Sequence, residues 1–107
     1  MSAVTTHVLD TARGVPAAGV RVRLERITRQ GPQELGRAST AADGRAFGLG
    51  PELLERGRYR LVFDTAGYDP DTFFPEVAVT FTADGEIPHY HVPLLLSPFG
   101  YTTYRGS

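Results

Sequence analysis

Hydrophobic residues recur at every second position through most of this chain. Across residues 20–28, Val20, Val22 and Leu24 alternate with Arg21, Arg23 and Glu25, the pattern of a strand with one dry and one wet face. Residues 58–64 repeat it, with Tyr59, Leu61 and Phe63 opposed to Arg58, Arg60 and Asp64. Residues 75–82 do so again, setting Val77, Val79 and Phe81 against Ala78, Thr80 and Thr82. A first strand is predicted over residues 4–10, ending where Gly14 and Pro16 supply turn chemistry. Two Ala-Asp-Gly triplets, 42–44 and 83–85, mark further turns. The apolar run 92–96 contains Pro93, which cannot donate to a sheet ladder and implies an edge, a bulge or an irregular start. Residues 101–104 follow it after Ser-Pro-Phe-Gly and read as its hairpin partner. Helix signals are thin. Residues 51–57, opening on Pro and closing on Gly, predict one or two helical turns, and residues 65–75 read as a loop. The expectation is one all-β domain over residues 1–107: an antiparallel β-sandwich of seven to eight strands with at most one short helix.

Composition narrows the function more than the fold. At 107 residues, with 41% apolar, the chain can enclose one core. A formal net charge of −1 gives no reason to expect a nucleic-acid or membrane partner. The absence of cysteine removes disulfides, thiolate nucleophiles and thiolate metal sites. All basic residues other than histidine are Arg, and the chain lacks both Lys and Asn, so it cannot form the Lys–Asn cross-link of structural surface modules. No basic stretch followed by an apolar one opens the sequence, and no apolar run approaches membrane-spanning length. A cytoplasmic location is the expectation.

The three histidines carry the candidate chemistry. His89 and His91 lie two apart on a strand-like run and project to one face; His7 lies in the first strand. Three readings compete: ordinary surface or core histidines, a three-imidazole zinc site, and metal-free acid–base catalysis by groups titrating near neutrality. Arg45 follows a turn and is either an ordinary exposed charge or a planar fork of donors for an oxyanion. Tyr104, Arg105 and Ser107 share that ambiguity. The alternating Tyr and Thr of the last strand also invite edge pairing with a second copy.

The segments THVLDTARGVPAAGV, ADGR and HYHVPLLLSPFGYTTYRGS, taken in order, resemble the 5-hydroxyisourate hydrolase family, the transthyretin-like enzymes of purine catabolism. The ending YRGS is the most specific element, because transthyretin proper ends differently and does not carry His, Arg and His at the positions matching His7, Arg45 and His91. The resemblance implies an eight-stranded sandwich assembled as a homotetramer, a dimer of dimers with active sites lining a channel. It implies His7, Arg45 and His91 as the catalytic set, with His7, Arg45, Tyr104 and Ser107 binding substrate and Arg105 and Gly106 completing the terminal motif. His89 is then a neighbour. No metal or other cofactor is implied. The implied reaction opens 5-hydroxyisourate to 2-oxo-4-hydroxy-4-carboxy-5-ureidoimidazoline; the alternative is a carrier that binds a small aromatic ligand in the same channel. The segment around 68–71 is short for the family's helix, which is expected to be reduced or missing.

Overall fold

The computed structural model describes residues 2–106. Its strands are β1 (Val4–Asp10), β2 (Val15–Pro16), β3 (Arg21–Thr28), β4 (Gly31–Ser39), β5 (Arg45–Ala46), β6 (Gly57–Asp64), β7 (Glu76–Ala83), β8 (Tyr90–His91), β9 (Leu94–Ser97) and β10 (Gly100–Thr103), with one helix, α1 (Thr65–Tyr68). The seven longer strands match the expected number; β2, β5 and β8 are two-residue pairings added to β1 and bring the described total to ten. One sheet runs β10-β9-β1-β2 with β5 and β8 also on β1, and the other runs β4-β3-β6-β7.

The dry positions of the alternating runs meet between the sheets. Val20, Val22, Leu24, Tyr59, Leu61, Phe63 and Val77 are buried against Val4, Val8 and Leu94, and truncating a large one of these typically costs about 2–5 kcal/mol. Val79 and Phe81 are only half-buried because β7 is a sheet edge. Pairing is antiparallel except that β1 runs parallel to β8 and β9. Parallel neighbours need a long connection, and here nearly the whole chain supplies it. Pro93 splits the apolar run as expected, separating β8 from β9.

Three local features differ from the reading of the sequence. Residues 51–57 are not helical: Leu54 is buried while Leu53 is exposed, and the carbonyls of Pro51, Glu55 and Arg56 accept from Ala3 N, the Tyr59 hydroxyl and Arg26 Nη2. Those bonds replace helical ones that so short a segment cannot nucleate. A helical turn sits instead in the predicted loop, capped where Gly67 N donates to Asp64 Oδ1 at 3.0 Å. This is the reduced helix. Strand β4 was not foreseen, because its burial has no period of two. It is an edge strand paired to β3 across an irregularity at Leu24/Glu25, and Gly36 lets the backbone at Gly50 approach so closely that a Cβ would lie 2.6 Å from Gly50 N.

Helix α1 is tied to the end of β1 through Asp10. One of its carboxylate oxygens accepts from Ala12 N and Arg13 N at 3.1 and 3.0 Å, and the other accepts from the Tyr68 hydroxyl at 2.8 Å. Burial pushes the Asp10 pKa up, but the Tyr68 hydroxyl, those two N–H groups and the Arg13 charge outweigh it, and the net effect is a lowered pKa. A carboxylate with a depressed native pKa contributes stability above its unfolded pKa and loses it as pH falls through the native one. Tyr68→Phe is therefore expected to reduce denaturant stability by roughly 1.5–3 kcal/mol at neutral pH. The deficit should shrink as pH drops below about 4. An equal deficit at both pH values would contradict this role for Asp10.

Candidate active site on the outer face of strand β1

Burial along β1 alternates strictly. Val4, Thr6, Val8 and Asp10 face inward, while Thr5, His7 and Leu9 face outward. The inward hydroxyl of Thr6 is satisfied by the Val92 carbonyl at 2.6 Å, so the dry face leaves no reason for the strand to turn over. On one edge of β1, β5 pairs His7 with Arg45 and Thr6 with Ala46. Ala46 is buried, which places Arg45 on the wet side beside His7. On the other edge, β8 pairs Thr5 with His91. Residues paired directly across an antiparallel ladder, as His7 and Arg45 are, have Cβ atoms about 4.5–5.5 Å apart. Three remote segments thus bring His7, Arg45 and His91 to one patch, with Thr5 at its centre.

Each side chain is held by its own local device. His7 Nε2 lies 2.8 Å from the Asp43 carbonyl oxygen. A carbonyl only accepts, so neutral His7 carries its proton on Nε2 and presents Nδ1 as a free base. Asp43 also holds Arg45: one carboxylate oxygen accepts from Arg45 N at 2.9 Å, and the other lies 3.8 Å from Arg45 Nε. Gly44 makes the tight approach possible. Its φ is +82°, and an added Cβ would lie 2.3 Å from the Val8 carbonyl and 3.2 Å from the His7 ring.

His91 Nδ1 lies 2.8 Å from Thr5 Oγ1, and that same oxygen lies 2.8 Å from His89 Nε2. The C-terminal segment closes over the ring: Gly106 N donates to the His91 carbonyl at 2.8 Å, and a Cβ at Gly106 would sit 2.5 Å from His91 Cδ2. Any larger residue there would push the His91 ring aside. The His91 pKa is lowered, first by partial burial and then by the fixed charge of Arg45. Repulsion from the neighbouring His89 and His7 imidazoles also opposes a charge on all three rings at once. A neutral imidazole at neutral pH, beside a guanidinium, can take a proton from water while the guanidinium holds an oxyanion.

Tyr104 and Arg105 line a groove of about 310 Å³ between the free edges at β7 and β10, walled by Phe81 and Tyr90. His91 lines it too, so the groove adjoins the patch at that ring. Tyr104 is exposed. Ser107 lies outside the described residues. A larger cavity of about 560 Å³ opens on the other sheet, lined by Arg21, Arg23 and Arg37 without any histidine. Among the described residues no group of three or more His, Asp or Glu side chains converges to hold a metal ion. Thr5 escaped the reading of the sequence, and Asp43 and Gly44 were read there as a turn, not as supports for His7 and Arg45. Thr5 was detectable as the residue two before His7, on the same face.

Residues 4–106 match the model of the HIUase/Transthyretin family. The chain belongs to that family. It is 49% identical to a 5-hydroxyisourate hydrolase of Mus musculus, over 99% of this chain and 96% of that protein. Among solved structures, sea bream transthyretin in complex with thyroxine aligns with a TM-score of 0.90 at 32% identity, covering 97% of this chain and 94% of that one. The 5-hydroxyisourate hydrolase of Klebsiella pneumoniae aligns with a TM-score of 0.82 at 36% identity, covering 99% and 100%. Shape alone therefore does not separate carrier from enzyme within the family, and the side chains on β1, β5 and β8 must.

The electrostatic link across the patch is measurable. Arg45→Gln removes a positive charge acting on His91 and is expected to raise the His91 pKa, read by NMR titration of the imidazole. An unchanged titration would mean that the guanidinium does not face that ring.

Proposed function

We propose that the chain hydrolyses 5-hydroxyisourate to 2-oxo-4-hydroxy-4-carboxy-5-ureidoimidazoline, a step of urate degradation, and that His7, Arg45 and His91 carry the reaction. The observation behind this is the convergence of two imidazoles and a guanidinium on one sheet face, with the His91 pKa lowered. Water adds to a ring carbonyl carbon of the substrate, its proton passing to an imidazole. The carbonyl oxygen takes up negative charge against the Arg45 guanidinium. The ring C–N bond then breaks, the nitrogen leaves with the proton returned by imidazole, and the carbonyl carbon becomes a carboxylic acid that gives its proton to solvent as it ionises. The names of the relatives matched over nearly the full chain support the same substrate. No cofactor enters the scheme.

Tyr104 and Ser107 are assigned to substrate binding together with His7 and Arg45. Tyr104 sits in the groove beside His91, so it would approach substrate from the edge of the site. A homotetramer, a dimer of dimers, would complete the site. Its support is the pair of open edges at β7 and β10, the apolar groove between them, and the exposed Phe99 and Tyr101 on the β9–β10 hairpin. A cytoplasmic setting suits this chemistry; among the described residues no helix is long and apolar enough to cross a membrane.

The alternative is a carrier that binds a small aromatic ligand without consuming it, favoured by the likeness to the thyroxine-bound transthyretin. It assigns no task to the charged patch on β1. Consumption of substrate separates the two. With 5-hydroxyisourate generated from urate by urate oxidase, the protein should speed the decay of its ultraviolet band, and His7→Ala and His91→Ala should each slow turnover by about 10²–10⁴-fold. Wild-type turnover in both variants would remove the proposed roles. Sedimentation at micromolar concentration should give a tetramer, and a monomer would contradict the proposed assembly.

A further inference from the structure

The two imidazoles of the patch are held by chemically different partners. His7 Nε2 faces a backbone carbonyl, which accepts and never donates. His91 Nδ1 faces a hydroxyl, which does both. Thr5 Oγ1 has one proton and two imidazole nitrogens at 2.8 Å, His91 Nδ1 and His89 Nε2. With both rings neutral, the hydroxyl donates to one nitrogen and accepts from the other. The two rings are 6.3 Å apart between centroids and tilted by 31°, so they flank the hydroxyl and do not stack on each other.

We propose that Thr5 and His89 form a positioning relay for His91, in which the Thr5 hydroxyl donates to His89 Nε2 and accepts from His91 Nδ1–H. His91 Nε2 is then left with its lone pair free, as the base that faces water. The inference rests on the catalytic reading of His91 given above and assigns a task to two residues that reading leaves idle. It also divides labour between the rings. His7 is locked in one tautomer by the Asp43 carbonyl, whereas His91 takes the water proton on Nε2 and keeps its Nδ1–H bond to Thr5 as an imidazolium. No proton leaves the relay during the step: the proton gained at Nε2 is the one returned to the leaving nitrogen. Without an acceptor at His89, the Thr5 hydroxyl is free to donate to His91 Nδ1, which moves the proton of neutral His91 to Nε2 and removes the base.

Three variants test this: Thr5→Val, close in shape but without the hydroxyl, Thr5→Ser, which keeps it, and His89→Leu, which removes the acceptor. In ¹⁵N spectra of the imidazoles, wild-type His91 should be protonated at Nδ1, and Thr5→Val and His89→Leu should both shift it toward the Nε2-protonated form. Thr5→Val should lower kcat by about tenfold, the scale of one lost hydrogen bond, with KM within about twofold, and Thr5→Ser should recover most of the rate. Wild-type His91 protonated at Nε2 overturns the proposal, as does His89→Leu with an unshifted spectrum or a Thr5→Ser variant as slow as Thr5→Val. The ¹⁵N readout needs no substrate. A wild-type protein that leaves 5-hydroxyisourate unconsumed would therefore sink the enzymatic reading while the tautomer still reports on the relay.

Discussion

Strand β1 is paired along both edges, with β2 and β5 on one side and β8 and β9 on the other, and the site depends on that pairing. Because side chains alternate with a period of two, a slip of one residue would carry Thr5 and His7 into the core and expel Val4 and Val8. The burial of Val4, Thr6 and Val8 at 1% exposure or less is thus also what fixes the wet face. Once that face is set, cross-strand register alone aligns Arg45 with His7 and His91 with Thr5. Catalytic groups mounted on paired strands are placed more tightly than groups on loops.

A patch of this kind gathers positive charge. Partial burial, then Arg45 and the neighbouring His89 and His7 rings, disfavour protonation of His91, while the Asp43 carboxylate is engaged with Arg45. The result is a base that remains neutral next to a cation that does not, the pairing that attack of water on a carbonyl requires. Close packing supports it from two sides, through Gly44 under the His7 ring and Gly106 against the His91 ring. The terminal segment is accordingly part of the construction. Its backbone bonds to His91, its strand β10 forms a sheet edge, and its Tyr104 and Arg105 wall the adjoining groove.

Much of the fold was legible because burial and alternation are nearly the same information for β3, β6 and β7. Residues of β1 were placed as a strand, but its inward Thr6 and Asp10 and outward Leu9 hid which face is dry. Edge strand β4 was not legible, since it packs only Leu35 and Ala38 partly against the core and so leaves no period of two. The single helical turn was misplaced because residues 51–57 are helix-compatible in sequence but the carbonyls of Pro51, Glu55 and Arg56 are claimed by Ala3, Tyr59 and Arg26. The real turn contains Gly67 and is held by Asp64. In the site, His89 and His91 were recognisable as a same-face pair. Arg45 was not distinguishable from the other arginines by composition or spacing, and only the family resemblance singled it out. What distinguishes it physically is register with His7, a relation between residues 38 positions apart that no local pattern expresses. Thr5 could be placed on the face of His7 from its spacing alone, but its role could not, since that comes from a hydroxyl shared between two rings from the far end of the chain.

The central claim is that His7, Arg45 and His91 act on one bound molecule. A crystal structure with a stable cyclic-urea analogue of 5-hydroxyisourate tests it most directly. The account predicts the analogue on the outer face of β1, a carbonyl oxygen on the Arg45 guanidinium, and the reacting carbon between His7 Nδ1 and His91 Nε2. An analogue bound on the other sheet, or one that touches Arg45 with both imidazoles turned away, would contradict it.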